Sequence, residues 1–280
     1  MMKWWMLMEL RPGSGAPMLR AVAETRQTKQ TREELRAALL EAGKEILLEE
    51  GLEPGSSNLT FKRVFDRVEK KTGLRLTNAS VIRRVWENQA DYQADVLVAI
   101  AQDEHRPEAD LTVRAIAGVF VGIDLSTVES RAHALREVCR VGGEASGDAI
   151  ANSANWSLWI NVLAMATATN RPDERRRIQV ALMEGYETVS RFWEKIYAGL
   201  VELFGLKIRE PWTMQQFVMT VTALNEGCSL RQHLSGHIER VARPTGPNGE
   251  DQQWTLFAVG LEALVHQFFE SDPDFNAATP

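Results

Sequence analysis

The chain has 280 residues, 44% hydrophobic and 25% charged, a globular composition long enough for one large core or two modest ones. Its net charge of −6 falls wholly in the later part: residues 1–105 balance at 16 basic and 16 acidic, while 106–280 hold 16 and 22. Two cysteines, Cys139 and Cys228, imply no disulfide framework and suit a reducing cytoplasm, and no stretch reaches the roughly 18 apolar residues of a membrane span.

In chain order, residues 1–28 read as a mostly disordered or variable extension. Met1 to Met8 is apolar but brief and breaks at Arg11-Pro12-Gly13; it lacks a signal peptide's core and cleavage site. It is either an extra segment before a later start at Met18 or an amphipathic tail that docks on the body. Thr31 with Glu33 and Glu34 opens the first helix, and Gly51 closes it. Its apolar stripe runs Leu35, Leu39, Ala42, Ile46 and Leu47. After a Pro54–Ser57 loop, Phe61, Val64, Phe65 and Val68 have the spacing of one helical face, ended by Gly73. A short helix with Val81, Ile82, Val85 and Trp86 follows, capped by Thr77 or Asn78. A third runs from about Asn88 to Glu104, and Pro107 marks a boundary.

The remainder reads as helix almost throughout, with no sustained strand alternation. Segments 109–122 and 126–139 lead to a flexible joint at Gly142-Gly143 and Ser146-Gly147. Helices follow at 148–169, from Pro172 to about Leu203, from Pro211 onward, and from about Gln252 to Phe269, the last after a Pro244–Gly249 loop.

Residues 54–85 carry Lys62, Arg63, Arg67, Lys70, Lys71, Arg75, Arg83 and Arg84 against only Asp66 and Glu69, a local balance of +6. Two short helices, one basic, joined by a tight segment are the pattern of a helix-turn-helix, and phosphate attraction needs only such a local patch.

On these residues the chain resembles the tetracycline-repressor-like (TetR-type) regulators. The matching pieces are E-I-L-L-E-E-G-L at the end of the first helix, Thr60 opening the second, Gly73 before the turn, and R-R-V-W-E-N-Q-A-D-Y entering the fourth. Trp86 stands at the family's aromatic packing position. T-A-L-N-E-G-C-S-L-R and L-F-A-V-G-L-E-A-L-V-H-Q-F-F are similar to the last two helices of actinobacterial members. There are departures. Thr60 to Gly73 and Gly73 to Arg83 are longer than the family spacing. Arg83 replaces a phosphate-contacting Tyr, and Gln89 replaces a Lys.

The resemblance implies an all-α fold, with a three-helix helix-turn-helix domain over 29–105 and a larger helical ligand-binding and dimerisation domain over 106–280. It implies a homodimeric repressor of transcription whose partners are double-stranded DNA, a small ligand and a second copy. Asn78 and Ser80 are expected at base edges; Arg75, Arg83, Arg84, Thr60 and Lys62 are expected at phosphates. The expected pocket wall is Trp156, Trp159, Met165, Tyr186, Phe192 and Trp193, suited to a largely apolar ligand. The expected dimer interface is Phe217, Val221, Leu224, Leu261, Leu264, Val265 and Phe268, the alternative being that these close the chain's own core.

Enzyme chemistry finds no support in the sequence. His233 and His237 lack the Glu of H-E-x-x-H, the glycines at 142–147 follow no strand, and no G-x-S-x-G elbow is present. No catalytic residue, metal or cofactor is expected. An all-helical interaction protein without specific DNA binding is the competing non-enzymatic reading.

Overall fold

The computed structural model describes residues 31–53, 56–73, 75–77, 81, 85–103, 107–168, 170–246 and 248–275. Among these the architecture is helical with two small antiparallel sheets. The helices are α1 (Arg32–Glu50), α2 (Phe61–Thr72), α3 (Gln89–Ala101), α4 (Pro107–Val119), α5 (Val128–Ala151), α6 (Ala154–Ala168), α7 (Pro172–Phe204), α8 (Met214–Ser235) and α9 (Leu256–Phe268). Strand β1 (Leu206–Ile208) pairs with β4 (Phe269–Ser271), and β2 (Arg240–Pro244) pairs with β3 (Asp251–Thr255).

Local chemistry accounts for most helix ends. Thr31 and Glu34 form a reciprocal capping box on α1, and Thr213 with Gln216 forms another on α8. Thr60 caps α2 and Asn88 caps α3, each accepting from the backbone N–H three residues on. Gly73 closes α2 at φ 72°, a left-handed value that a glycine adopts without a Cβ clash.

One apolar core gathers Leu39, Ile46 and Leu47 of α1, Val64 and Phe65 of α2, and Tyr92, Val96 and Leu97 of α3. The same core takes in Leu158 and Val162 of α6 and Ile178 and Leu182 of α7. The break near Pro107 thus divides the chain without dividing that core. A second core lies between α8 and α9 around Phe217, Trp254 and Phe257.

Two sequence expectations need correction. The glycines of 142–147 are not a joint; they lie inside α5 at close helix crossings. A Cβ on Gly143 would stand 2.7 Å from Ala258 Cβ of α9, and one on Gly142 3.0 Å from Ile116 of α4. Small residues there let neighbouring helices approach, which a local reading takes for flexibility. The last helix begins at Leu256, not Gln252, because 251–255 pairs with 240–244 as a hairpin. Trp254 holds this hairpin. It is fully buried, donates Nε1–H to Thr245 Oγ1 at 2.7 Å, and lies under the Arg243 guanidinium at 4.4 Å.

Candidate functional site

Two regions carry the expected functional residues. The first is the basic face of α2. Arg67 makes a two-pronged contact to Glu49 of α1, at 2.7 and 2.5 Å. Arg63 pairs with Glu50, and Lys71 pairs with Glu45. The Arg67 hydrogen bond holds the Glu49 carboxyl below the usual carboxylate range. Three of the eight basic residues counted between 54 and 85 are therefore balanced by acids outside that window. The +6 overstates the field that α2 presents, because a count along the sequence misses charges that folding brings across.

Lys62 and Lys70 have no ion pair among the described residues, and Arg75 is highly exposed, 3.5 Å from Glu69. Thr60 is committed to its cap. Gln89 accepts from Phe61 N at 3.1 Å, so the residue standing in place of the family's Lys satisfies the first N–H of α2. Asn78, Ser80, Arg83 and Arg84 lie outside the described residues, as does the extension expected over 1–28. Val81 N donates to Thr77 O and Val85 N donates to Val81 O.

The second region is a cavity of about 480 Å³ within the helical body, in the size range of small-molecule sites. It runs from the C-terminal end of α3 to β1 and β4. Trp156 and Trp159 come from α6; Tyr186, Phe192 and Trp193 come from α7. Trp159 meets Tyr186 edge-on at 5.1 Å, and Trp193 stacks on Tyr197 at 5.6 Å. Met165, expected on this wall, packs instead against the N-terminal core, because it faces the other side of α6.

The residues expected at a dimer interface also need correction. Phe217, Val221, Leu261 and Phe268 are buried within the chain, and Phe217, Val221, Leu261 and Val265 line the cavity. Leu224 fills the space over Gly260, where a Cβ would stand 2.6 Å from its Cδ2, and Leu264 packs against the α8–α9 core. Helical periodicity identifies an apolar face without saying what covers it.

The residues that sequence reading missed are polar. Glu226 of α8 lines the cavity and accepts from the Tyr186 hydroxyl at 3.2 Å. Burial raises its carboxyl above the ordinary carboxylate value, and the tyrosine hydrogen bond opposes that rise. Its neighbour Asn225 donates to Ser146 Oγ at 3.1 Å, but its buried Oδ1 has no partner among the described residues. The one available signal was an acidic residue inside the otherwise uncharged run from Met214 to Leu230. Cys139 also lines the cavity, and burial pushes its thiol up to about 12, which leaves it an unreactive small residue.

The two regions meet at α3. Gln102 and Asp103, just past its end, form one rim of the cavity. Gln102 donates to Glu184 of α7 at 2.5 Å, and Gly185 of α7 lies so close to the Ala101 carbonyl oxygen that no Cβ fits. Midway along α3, Asp95 accepts from Trp86 Nε1 and from Arg36 of α1, each at 2.8 Å, and pairs with Arg177 of α7.

Among the described residues no group of three or more His, Cys, Asp and Glu is arranged to hold a metal, and no helix is long and apolar enough to cross a membrane.

Neither a protein-family model nor a curated protein matches the chain. Among solved structures it is similar to that of a proposed transcriptional regulator from Saccharomonospora viridis in complex with choline, at 15% identity over 85% of this chain and 99% of that one. The TM-score of 0.38 is low, so the functional reading stands on the residues described above.

Proposed function

We propose that this chain is a sequence-specific DNA-binding regulator of transcription, a repressor of the tetracycline-repressor kind that releases DNA when a small, largely apolar ligand fills the cavity. The observation that carries this reading is the position of α3. That helix packs into the α1–α2 core through Tyr92 and Val96, and the residues just past it border the cavity. A ligand that spreads Tyr186 from Gln102 acts directly on the support of α1 and α2. Occupancy shifts an equilibrium only if it favours one of two arrangements, and the tight Gly185–Ala101 crossing limits how α3 and α7 can rearrange.

In this reading Asn78 and Ser80 meet base edges, and Lys62, Lys70, Arg75, Arg83 and Arg84 meet phosphate. The working form is a homodimer, because one helix-turn-helix covers only a few base pairs. The surface that suits a second copy is the exposed stripe Met219, Ala223, Gly227, Leu230 and Leu234 on α8. Its spacing of four, four, three and four follows one helical face. Selection of bound sequences from a random duplex pool tests the whole reading: a two-fold-symmetric motif supports it, and no enrichment contradicts it.

A second reading draws on the α1–α2 ion pairs. With Arg63, Arg67 and Lys71 matched to α1 carboxylates, α2 suits a helical interaction protein without specific DNA binding. A salt titration on random duplex separates the two, since that alternative expects almost no salt slope.

A further inference from the structure

The polar groups of the cavity identify its ligand more narrowly than its aromatic walls do. Among the described residues that line it, every charged side chain is acidic: Asp103, Glu108, Asp110 and Glu226. Asp103 is paired with Lys44 at 2.7 Å, Glu108 holds the Ser153 hydroxyl, and Asp110 is exposed. Glu226 differs from these. It is half-buried on the cavity wall, and its one hydrogen-bond partner among the described residues is the neutral Tyr186 hydroxyl. A carboxylate taken from water without a cation is costly, and burial raises this carboxyl above the ordinary carboxylate value. One residue back, the buried Oδ1 of Asn225 has no donor among the described residues. Native proteins satisfy nearly all such atoms, so an orphan on a cavity wall calls for a donor from the occupant.

The carboxylate without a cation and the unsatisfied amide oxygen belong to consecutive residues of α8, and aromatic side chains of α6 and α7 line the same cavity. The occupant that satisfies all of this carries N–H donors, a positive charge and an apolar or aromatic body. We infer that the cavity takes a hydrophobic amine in its protonated form, the ammonium donating to Glu226 and Asn225 while Trp156, Trp159 and Trp193 pack on the hydrocarbon. This rests on the ligand-sensing reading above and narrows it. A quaternary ammonium fits less well, since it has charge but no N–H for Asn225. A carboxylate or phosphate ligand meets like charge and no cationic partner.

The test is calorimetric titration of the full chain at pH 7.5 with four probes of one body: 5-phenylpentan-1-amine, its N,N,N-trimethyl derivative, 5-phenylpentan-1-ol and 6-phenylhexanoate. The primary amine should bind at least about tenfold more tightly than the alcohol, the trimethyl compound should fall between them, and the acid should bind weakest. In Glu226→Gln the amine should lose its advantage over the alcohol. The wild-type series alone decides the matter should that variant fold poorly. An alcohol or acid that binds as tightly as the amine, or a trimethyl compound that binds more tightly, overturns the amine assignment and leaves a ligand-sensing cavity standing. If none of the four binds, the amine assignment and the sensing reading fall together.

Discussion

The indole Nε1 of Trp86 donates to the Asp95 carboxylate at 2.8 Å, and that carboxylate also receives Arg36 at 2.8 Å and Arg177. One acid on α3 thus ties the segment entering that helix, the first helix of the chain, and the long helix of the body. Trp86 is itself buried edge-on against Tyr92 at 4.9 Å, and Tyr92 donates its hydroxyl to the Leu39 carbonyl at 2.9 Å. An indole N–H left unpaired there costs the fold; the two arginines, each about half exposed, turn to water and add little. Asp95→Ala should therefore lower stability by about 2–3 kcal/mol, within the range for hydrogen bonds to charged groups and for stranded donors. Urea unfolding followed by tryptophan fluorescence reads the change; a loss under about 0.5 kcal/mol, the size of an ordinary surface substitution, contradicts the role given to Asp95.

Gly185 meets Ala101 at backbone level, where nothing flexible can give way. Gly185→Ala should part α3 from α7 and cost roughly 1–3 kcal/mol, as overpacking a filled site does. Because α3 carries the proposed link between cavity and DNA, the same variant should blunt the effect of ligand on DNA affinity. A variant as stable as the parent, with ligand response intact, refutes the crossing as a point of contact.

The acids of α1 set how much positive charge α2 presents. Replacing Glu45 and Glu49 with Gln frees Lys71 and Arg67 from their partners. Binding to random duplex should tighten and its salt dependence should steepen, as two more cations become available to phosphate. The stability cost should be small, since these pairs are solvent-exposed. A salt slope equal to that of the parent means that α2 does not face DNA.

Glu226 makes a pH-dependent prediction whose sign follows from burial. Its folded-state pKa is raised, so ionising it opposes folding once the pH passes the ordinary carboxylate value, and it is without cost below that value. Glu226→Gln keeps an acceptor for Tyr186 and removes the charge. The variant should be the more stable at pH 7.5, and the difference should disappear at pH 3.5–4. Greater stability of the parent at pH 7.5 shows that Glu226 has a favourable partner as it stands.

The exposed α8 stripe gives a prediction on assembly. Leu230→Asp and Leu234→Asp place charge on an outward-facing apolar seam without touching the core, since both side chains are already exposed. Sedimentation should show a micromolar dimer become a monomer with unchanged helicity. A parent chain that sediments as a monomer at that concentration removes the dimer from the account.

Much of the helical framework was legible along the chain because its signals are local. Thr31 and Glu34, Thr60 and Gly73, Asn88, and Pro172 with Asp173 and Glu174 mark ends that the structure places within a residue or two. What escaped is non-local. The partners of Arg63, Arg67 and Lys71 lie 13 to 26 residues earlier. The glycines of α5 take their meaning from Ala258 and Ile116, which no window around residue 143 contains. The aromatic wall of the cavity could be named from helix spacing, but Phe217 and Leu261 could not be assigned to cavity rather than interface until their neighbours were known. Nothing along the chain marks Glu226 as a cavity residue; its surroundings set it apart.

The central claim is that the chain reads a DNA sequence. Its most direct test is fluorescence anisotropy of the full chain on a duplex enriched from a random pool, compared with a scrambled duplex across a salt series. The account predicts affinity for the enriched sequence at least about 10³ tighter than for the scramble near physiological salt, with both weakening as salt rises. Equal affinity for the two duplexes, or no binding that responds to salt, contradicts it.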